Sequence, residues 1–157
     1  MHLSTAALKQ TKTALNILVA EDDPDDRLLI REAFEECRIA NHIDFVQDGQ
    51  ELLDYLLGQG KYSEPASPPG IILLDLNMPR KDGREVLQEL KNHPQLRTLP
   101  VVVLTTSKSE EDIAQSYLKG VSGFIVKPVT FKGLVDVLKG VGEYWLEIVE
   151  LPQRFKV

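Results

Sequence analysis

Four short, nearly continuous apolar runs constrain this chain more than any other feature: Ile17-Leu18-Val19-Ala20, Ile71-Ile72-Leu73-Leu74, Val101-Val102-Val103-Leu104 and Phe124-Ile125-Val126. None alternates with polar residues as a half-solvated strand does, and longer helical patterns separate them. Such runs are the mark of parallel strands buried on both faces. A fifth run, Ile43-Asp44-Phe45-Val46, is interrupted by a charge and is assigned to the sheet edge.

The intervening helices announce their ends. Asp23 is placed as an N-cap, with Pro24 at the first helical position and Asp25 and Asp26 in the first turn, where carboxylates suit the helix dipole. A second helix is expected from about Gln50 to Leu57, stopped by Gly58-Gln59-Gly60, and a third from about Arg84 to Asn92, before Pro94. Pro65, Pro68, Pro69 and Gly70 make the stretch before the third strand a loop. Ser109 caps a fourth helix, with Asp112 at the capping-box distance. The last helix starts near Thr130 and extends toward Val149, weakened by Gly140 and Gly142. Alternating strands and helices give an α/β fold: a doubly wound five-stranded parallel sheet with right-handed crossovers and helices on both faces.

The 157 residues fit one domain, over 16–150, between a mobile tail at 1–15 and a C-terminal tail at 151–157, with no room for a second catalytic domain. The balance of 18 basic against 24 acidic side chains, a formal charge of −6, is the wrong sign for holding nucleic acid and favours protein partners and cations. No apolar stretch approaches the roughly 20 residues of a bilayer span, and no signal peptide is visible. The single Cys37 cannot form an internal disulfide, and a reducing cytoplasm is the expected setting.

Ligands of such folds bind beyond the carboxyl ends of the strands. There the chain places Glu21 and Asp22 after the first strand, Asp75 after the third, Thr105 after the fourth and Lys127 after the fifth. Three carboxylates together would repel and raise at least one pKa unless a divalent cation neutralised them, and their oxygens suit Mg²⁺. Beside such a cation Asp75 becomes a plausible nucleophile toward phosphorus, with the Lys127 ammonium and the Thr105 hydroxyl on the phosphoryl oxygens. Asp23, Asp25 and Asp26 are explained by helix capping, although they can enlarge the acidic pocket. His2, His42 and His93 show no metal-ligand spacing, and Met78 is assigned to packing.

Through Val19-Ala20-Glu21-Asp22, Leu74-Asp75-Leu76-Asn77-Met78-Pro79, Asp82-Gly83, Leu104-Thr105-Thr106 and Val126-Lys127-Pro128, residues 16–140 resemble the receiver domain of bacterial response regulators, which has a flavodoxin-like fold. The resemblance implies that Asp75 takes a phosphoryl group from a partner histidine kinase. It also implies that Asp22, Asp75 and the Asn77 backbone carbonyl bind Mg²⁺, that Glu21 helps through water, and that Lys127 pairs with the phosphate. Lys127-Pro128 would be a cis peptide, Phe124 an aromatic that turns inward when Thr105 engages phosphate, and Asn77 and Ser107 the positions that tune hydrolysis. Asp22-Asp23-Pro24, the loop from Gly60-Lys61-Tyr62 to Pro69, Lys81-Asp82-Gly83-Arg84-Glu85-Val86-Leu87 and Tyr144-Trp145-Leu146 to Leu151-Pro152 are similar to the small stand-alone regulators associated with cyanobacterial and other bacterial phytochromes. That likeness makes a red-light histidine kinase the expected donor.

In the last helix Leu134, Leu138, Val141, Trp145 and Ile148 form a core stripe, whereas Val137, Tyr144 and Leu151 form a surplus apolar set. The expectation is a two-fold homodimer through the fourth helix, fifth strand and fifth helix, with output by protein contacts or phosphorelay. The alternative is a binding module for which phosphorylation is dispensable. A multiple-turnover phosphatase is disfavoured, because Asn77 stands where those enzymes typically carry a second Asp as general acid.

Overall fold

The computed structural model describes residues 16–39, 41–63 and 69–148, with side chains in the last helical segment described through Trp145. The two tails, most of the loop before the third strand, the side chain of Ile148 and all of Leu151 lie outside the described residues. The elements follow as β1 (Asn16–Ala20), α1 (Pro24–Glu36), β2 (Ile43–Val46), α2 (Gly49–Leu57), a 3₁₀ turn (Gly60–Tyr62), β3 (Pro69–Leu74), α3 (Gly83–Asn92), β4 (Val101–Thr105), α4 (Glu110–Leu118), β5 (Gly123–Val126), α5 (Phe131–Val141) and a π-helical segment (Gly142–Ile148).

All pairings are parallel and the strand order is β2-β1-β3-β4-β5, so the expected doubly wound, flavodoxin-like sheet is present. Because side chains alternate across a strand, the apolar runs feed two cores. Leu18, Ala20, Ile72, Leu74, Val101 and Val103 pack with Leu52 of α2 and Val86, Leu87 and Leu90 of α3. Ile17, Val19, Ile71, Leu73, Val102 and Leu104 pack with Ile30, Ala33 and Phe34 of α1 and Leu134, Leu138 and Val141 of α5. A run that serves both faces has no polar position to spare, which is why these strands read as continuous.

The helix caps work as their sequences require. Asp23, Asp48, Asp82, Ser109 and Thr130 each accept a hydrogen bond from a backbone N–H in the first turn of their helix. Gly58 ends α2 in the left-handed conformation, φ 66°, where a side chain would be strained.

Four expectations change. Strand β3 begins at Pro69 rather than Ile71, since proline is tolerated at the first residue of a strand. Strand β5, read as a buried run, is the second edge of an open sheet and is only half-buried. Asp112 does not close a capping box: Ser109 caps it, but its own carboxylate turns to Arg84 and Ser107. The last helix does not continue as one α-helix to Val149, because at Gly142 it widens into π turns. Leu134, Leu138 and Val141 are buried as expected, while Tyr144 beyond the change is 53% exposed.

Candidate functional site

Backbone hydrogen bonds bring the strand ends into register before any side chain acts. Glu21 N donates to Val46 O at 3.0 Å, Asp75 N to Ala20 O at 3.1 Å and Lys127 N to Thr105 O at 2.8 Å. The residue just past each strand therefore opens onto one edge, at the point where chain order reverses between β1 and β3.

Asp75 lies at the centre and is 7% exposed. Its Oδ1 accepts from the Thr105 hydroxyl at 2.8 Å and from Asn77 N at 3.1 Å, and its Oδ2 accepts from Lys127 Nζ at 3.2 Å. Lys127 also donates to Glu21 in a close ion pair and to Asp26 Oδ2 at 3.1 Å. Carboxylate oxygens of Glu21, Asp22 and Asp75 all lie within 4.8 Å of one another.

Glu21 is 2% exposed, and its pKa rises to about 7. Burial is the leading cause, with the Asp75 charge adding to it and Lys127 opposing it. The expected carboxylate perturbation is thus present, driven first by desolvation and only then by repulsion. Burial alone would pull Lys127 down, but its hydrogen bond to Glu21 and the charges of Asp75 and Glu21 reverse this and hold it raised. One ammonium faces the carboxylates of Glu21, Asp26 and Asp75, with Asp22 adjoining. This excess of negative charge, presented by oxygen donors without imidazole or thiol, fits a hard divalent cation.

The supporting turns are tied down. Arg27 Nη1 donates to the carbonyls of Glu21 at 2.9 Å and Asp22 at 2.8 Å, fixing the β1–α1 turn. Arg80, in a positive-φ conformation of 62°, grips Asp48 with two 2.9 Å hydrogen bonds. Gly83 permits α3 to start against the end of β3, since a Cβ there would lie 2.4 Å from Asp75 O and 2.7 Å from Leu76 Cα.

The sequence-selected Glu21, Asp22, Asp75, Thr105 and Lys127 all converge. Asn77 is exposed and joins through its N–H to Asp75. Phe124 is half-buried against the α2–α3 core, and Met78 is 8% exposed and packed there, as expected. Asp26, expected to serve the helix dipole and to be able to enlarge the acidic pocket, does reach the cluster, through its ion pair with Lys127. The Lys127–Pro128 bond is trans, not cis. Prolyl bonds still favour trans modestly, and the trans loop already carries Lys127 to the carboxylates. His42 pairs with Asp44 and His93 accepts from Gln95 N, so neither joins the acidic cluster; His2 lies outside the described residues.

Fold and site together define a receiver. The family model for the response regulator receiver domain matches residues 17–139, and the chain belongs to that family. Among individual relatives, it is 42% identical over 136 residues to response regulator Rcp1 of Synechocystis, covering 87% of this chain and 92% of that protein. The crystal structure of the phosphorylated cyanobacterial phytochrome response regulator RcpA is similar at 43% identity and a TM-score of 0.83, covering 88% of this chain and 99% of that one. The Mn²⁺-bound form of Rcp1 gives 40% identity and a TM-score of 0.81, with 88% and 99% covered. Among the described residues no helix is long and apolar enough to cross a membrane.

Proposed function

We propose that Asp75 is the phosphoacceptor of a Mg²⁺-dependent signalling switch charged by a histidine kinase in the cytoplasm. The observation that carries this reading is the placement of a buried Asp75 carboxylate between the Thr105 hydroxyl and the Lys127 ammonium, beside Glu21 and Asp22. Asp22, Asp75 and the Asn77 backbone carbonyl would hold Mg²⁺, with Glu21 helping through water. The cation would supply charge neutralisation for the incoming phosphoryl oxygens.

An Asp75 carboxylate oxygen attacks phosphorus as the bond to the donor's imidazole nitrogen breaks, and Lys127 offsets the charge on the transferred group. Thr105, which donates to Asp75 Oδ1 before transfer, then turns its hydroxyl to a phosphoryl oxygen. Phe124, half-buried on neighbouring β5, follows this change toward the surface of α4, β5 and α5. The residue two beyond Asp75 is Asn77, not the second Asp that typically serves multiple-turnover phosphatases as general acid. The protein is therefore a slow self-dephosphorylating acceptor rather than an enzyme, and its message leaves through protein contacts or phosphorelay.

The similarity to the cyanobacterial phytochrome response regulator RcpA supports a phytochrome-type kinase as donor. Exposed Tyr117, Leu118 and Tyr144 support a homodimer through α4, β5 and α5. Incubation with radiolabelled acetyl phosphate and Mg²⁺ tests the central reading: wild type takes label and Asp75→Asn does not. Undiminished labelling of Asp75→Asn ends it.

A further inference from the structure

Arg84, on the first turn of α3, is the most committed side chain near the site. Its Nε and Nη2 donate to the two oxygens of Asp112 at 2.8 and 2.6 Å. Its Nη1 reaches Leu76 O and Asn77 Oδ1, both at 3.4 Å. Asp112, on the first turn of α4, also accepts from the Ser107 hydroxyl at 2.7 Å. Ser107 N in turn donates to Thr105 Oγ1 at 3.4 Å, and Thr105 donates to Asp75. These contacts close a ring from Asp75 through Thr105, Ser107, Asp112, Arg84 and Asn77 back to Asp75.

Two members of the ring, Asn77 and Ser107, stand one hydrogen bond from the acceptor carboxylate or its hydroxyl partner, on the separate β3–α3 and β4–α4 turns. The Ser107 hydroxyl oxygen also accepts from Ser109 N at 3.4 Å within its own turn, and the Arg84 contacts are what join the two turns. The planar Arg84 fork fixes both at once, gripping Asn77 directly and Ser107 through Asp112.

We propose that the Arg84–Asp112 pair positions Asn77 and Ser107 beside Asp75 and thereby sets how long the phosphoryl group survives there; this rests on Asp75 being the acceptor. Decay is hydrolysis: a water oxygen attacks phosphorus, the bond from phosphorus to the Asp75 oxygen breaks, and the carboxylate and inorganic phosphate separate as the water's proton passes to solvent. With the fork intact, the Ser107 hydroxyl is spent on Asp112 and the Asn77 side-chain oxygen Oδ1 on Arg84, so neither orients that water. Loss of the fork frees both. Arg84 is thus a positioning residue, acting through its neighbours.

The experiment labels full-length protein with acetyl phosphate and Mg²⁺, removes the donor and follows loss of phosphate. Arg84→Gln is expected to decay about three- to tenfold faster than wild type. Arg84→Lys falls between, because an ammonium cannot span both Asp112 oxygens, and Asp112→Asn breaks the pair from its other side with the same result. In an Asn77→Ala/Ser107→Ala background Arg84→Gln adds nothing further. Unchanged decay in Arg84→Gln and Asp112→Asn, or equal acceleration by Arg84→Gln in both backgrounds, overturns the positioning role while leaving Asp75 as acceptor. Label on the Asp75→Asn protein instead removes the acceptor reading, and this inference with it.

Discussion

Lys127 and Arg84 flank the same aspartate and are used in opposite ways. Lys127, with a side chain 12% exposed, is a single point charge divided among Glu21, Asp26 and Asp75. Arg84, with a side chain 36% exposed, commits two prongs to Asp112, while its third nitrogen lies 3.6 Å from Asp82 Oδ2. The first region has more negative charge than its cation can neutralise, so it is unfinished electrostatically and is completed by what binds there. The second has its bidentate bonds already made, and its geometry is what it contributes. Chemistry is carried where charges are left open, and the frame around it is held where they are closed.

Removing each element in turn sharpens this contrast. The largest effect is expected for Lys127→Met, which leaves the buried Glu21 and Asp75 carboxylates without their ammonium: a loss of about 3 kcal/mol in urea unfolding. Mg²⁺ restores part of it, and stabilises the variant more than wild type. If Lys127→Met were as stable as wild type without Mg²⁺, the carboxylates would not be in electrostatic conflict. Gly83→Ala comes next, because its methyl would meet Asp75 O and Leu76 Cα. Pushing α3 away from β3 is expected to cost about 1–3 kcal/mol and to lower the initial rate of labelling, whereas an unchanged rate would show that the Asp75 backbone tolerates displacement.

The smallest effect separates the bidentate pair by pH. Asp112 is held at about 2, below its ordinary 3.8, first by Arg84 and then by Ser107. A carboxylate with a lowered folded-state pKa contributes stability that is complete above the ordinary value and is lost as pH falls through the folded one. The difference in thermal midpoint between wild type and Asp112→Asn is therefore expected to shrink as pH is lowered from 3.8 to about 2. A difference that persists unchanged at pH 2 would assign it to packing instead.

Much of this was legible in the chain. The apolar runs named the strands because a two-faced sheet leaves no polar position, and Asp23 and Ser109 cap their helices as expected. Glu21, Asp22, Asp75, Thr105 and Lys127 could be gathered because strand ends in a parallel sheet share one edge. What stayed hidden depends on long side chains crossing between elements. Arg84 and Asp112 are 28 residues apart, and no periodicity links them. No sequence pattern marks Arg27 apart from other helix cations, yet its guanidinium binds backbone carbonyls of the site. The edge position of β5 was equally invisible, since its residues are as apolar as those of the central strands. The π turns from Gly142 were foreshadowed only as helix weakness.

The central claim is that one particular carboxylate carries the phosphoryl group. Peptide mapping by mass spectrometry, after acetyl phosphate treatment with Mg²⁺ and reductive trapping of the acyl phosphate, tests it most directly. Modification is expected on the peptide containing Asp75 and at that residue alone. Modification at Glu21, Asp22 or Asp26 in its place, with Asp75 untouched, would contradict it.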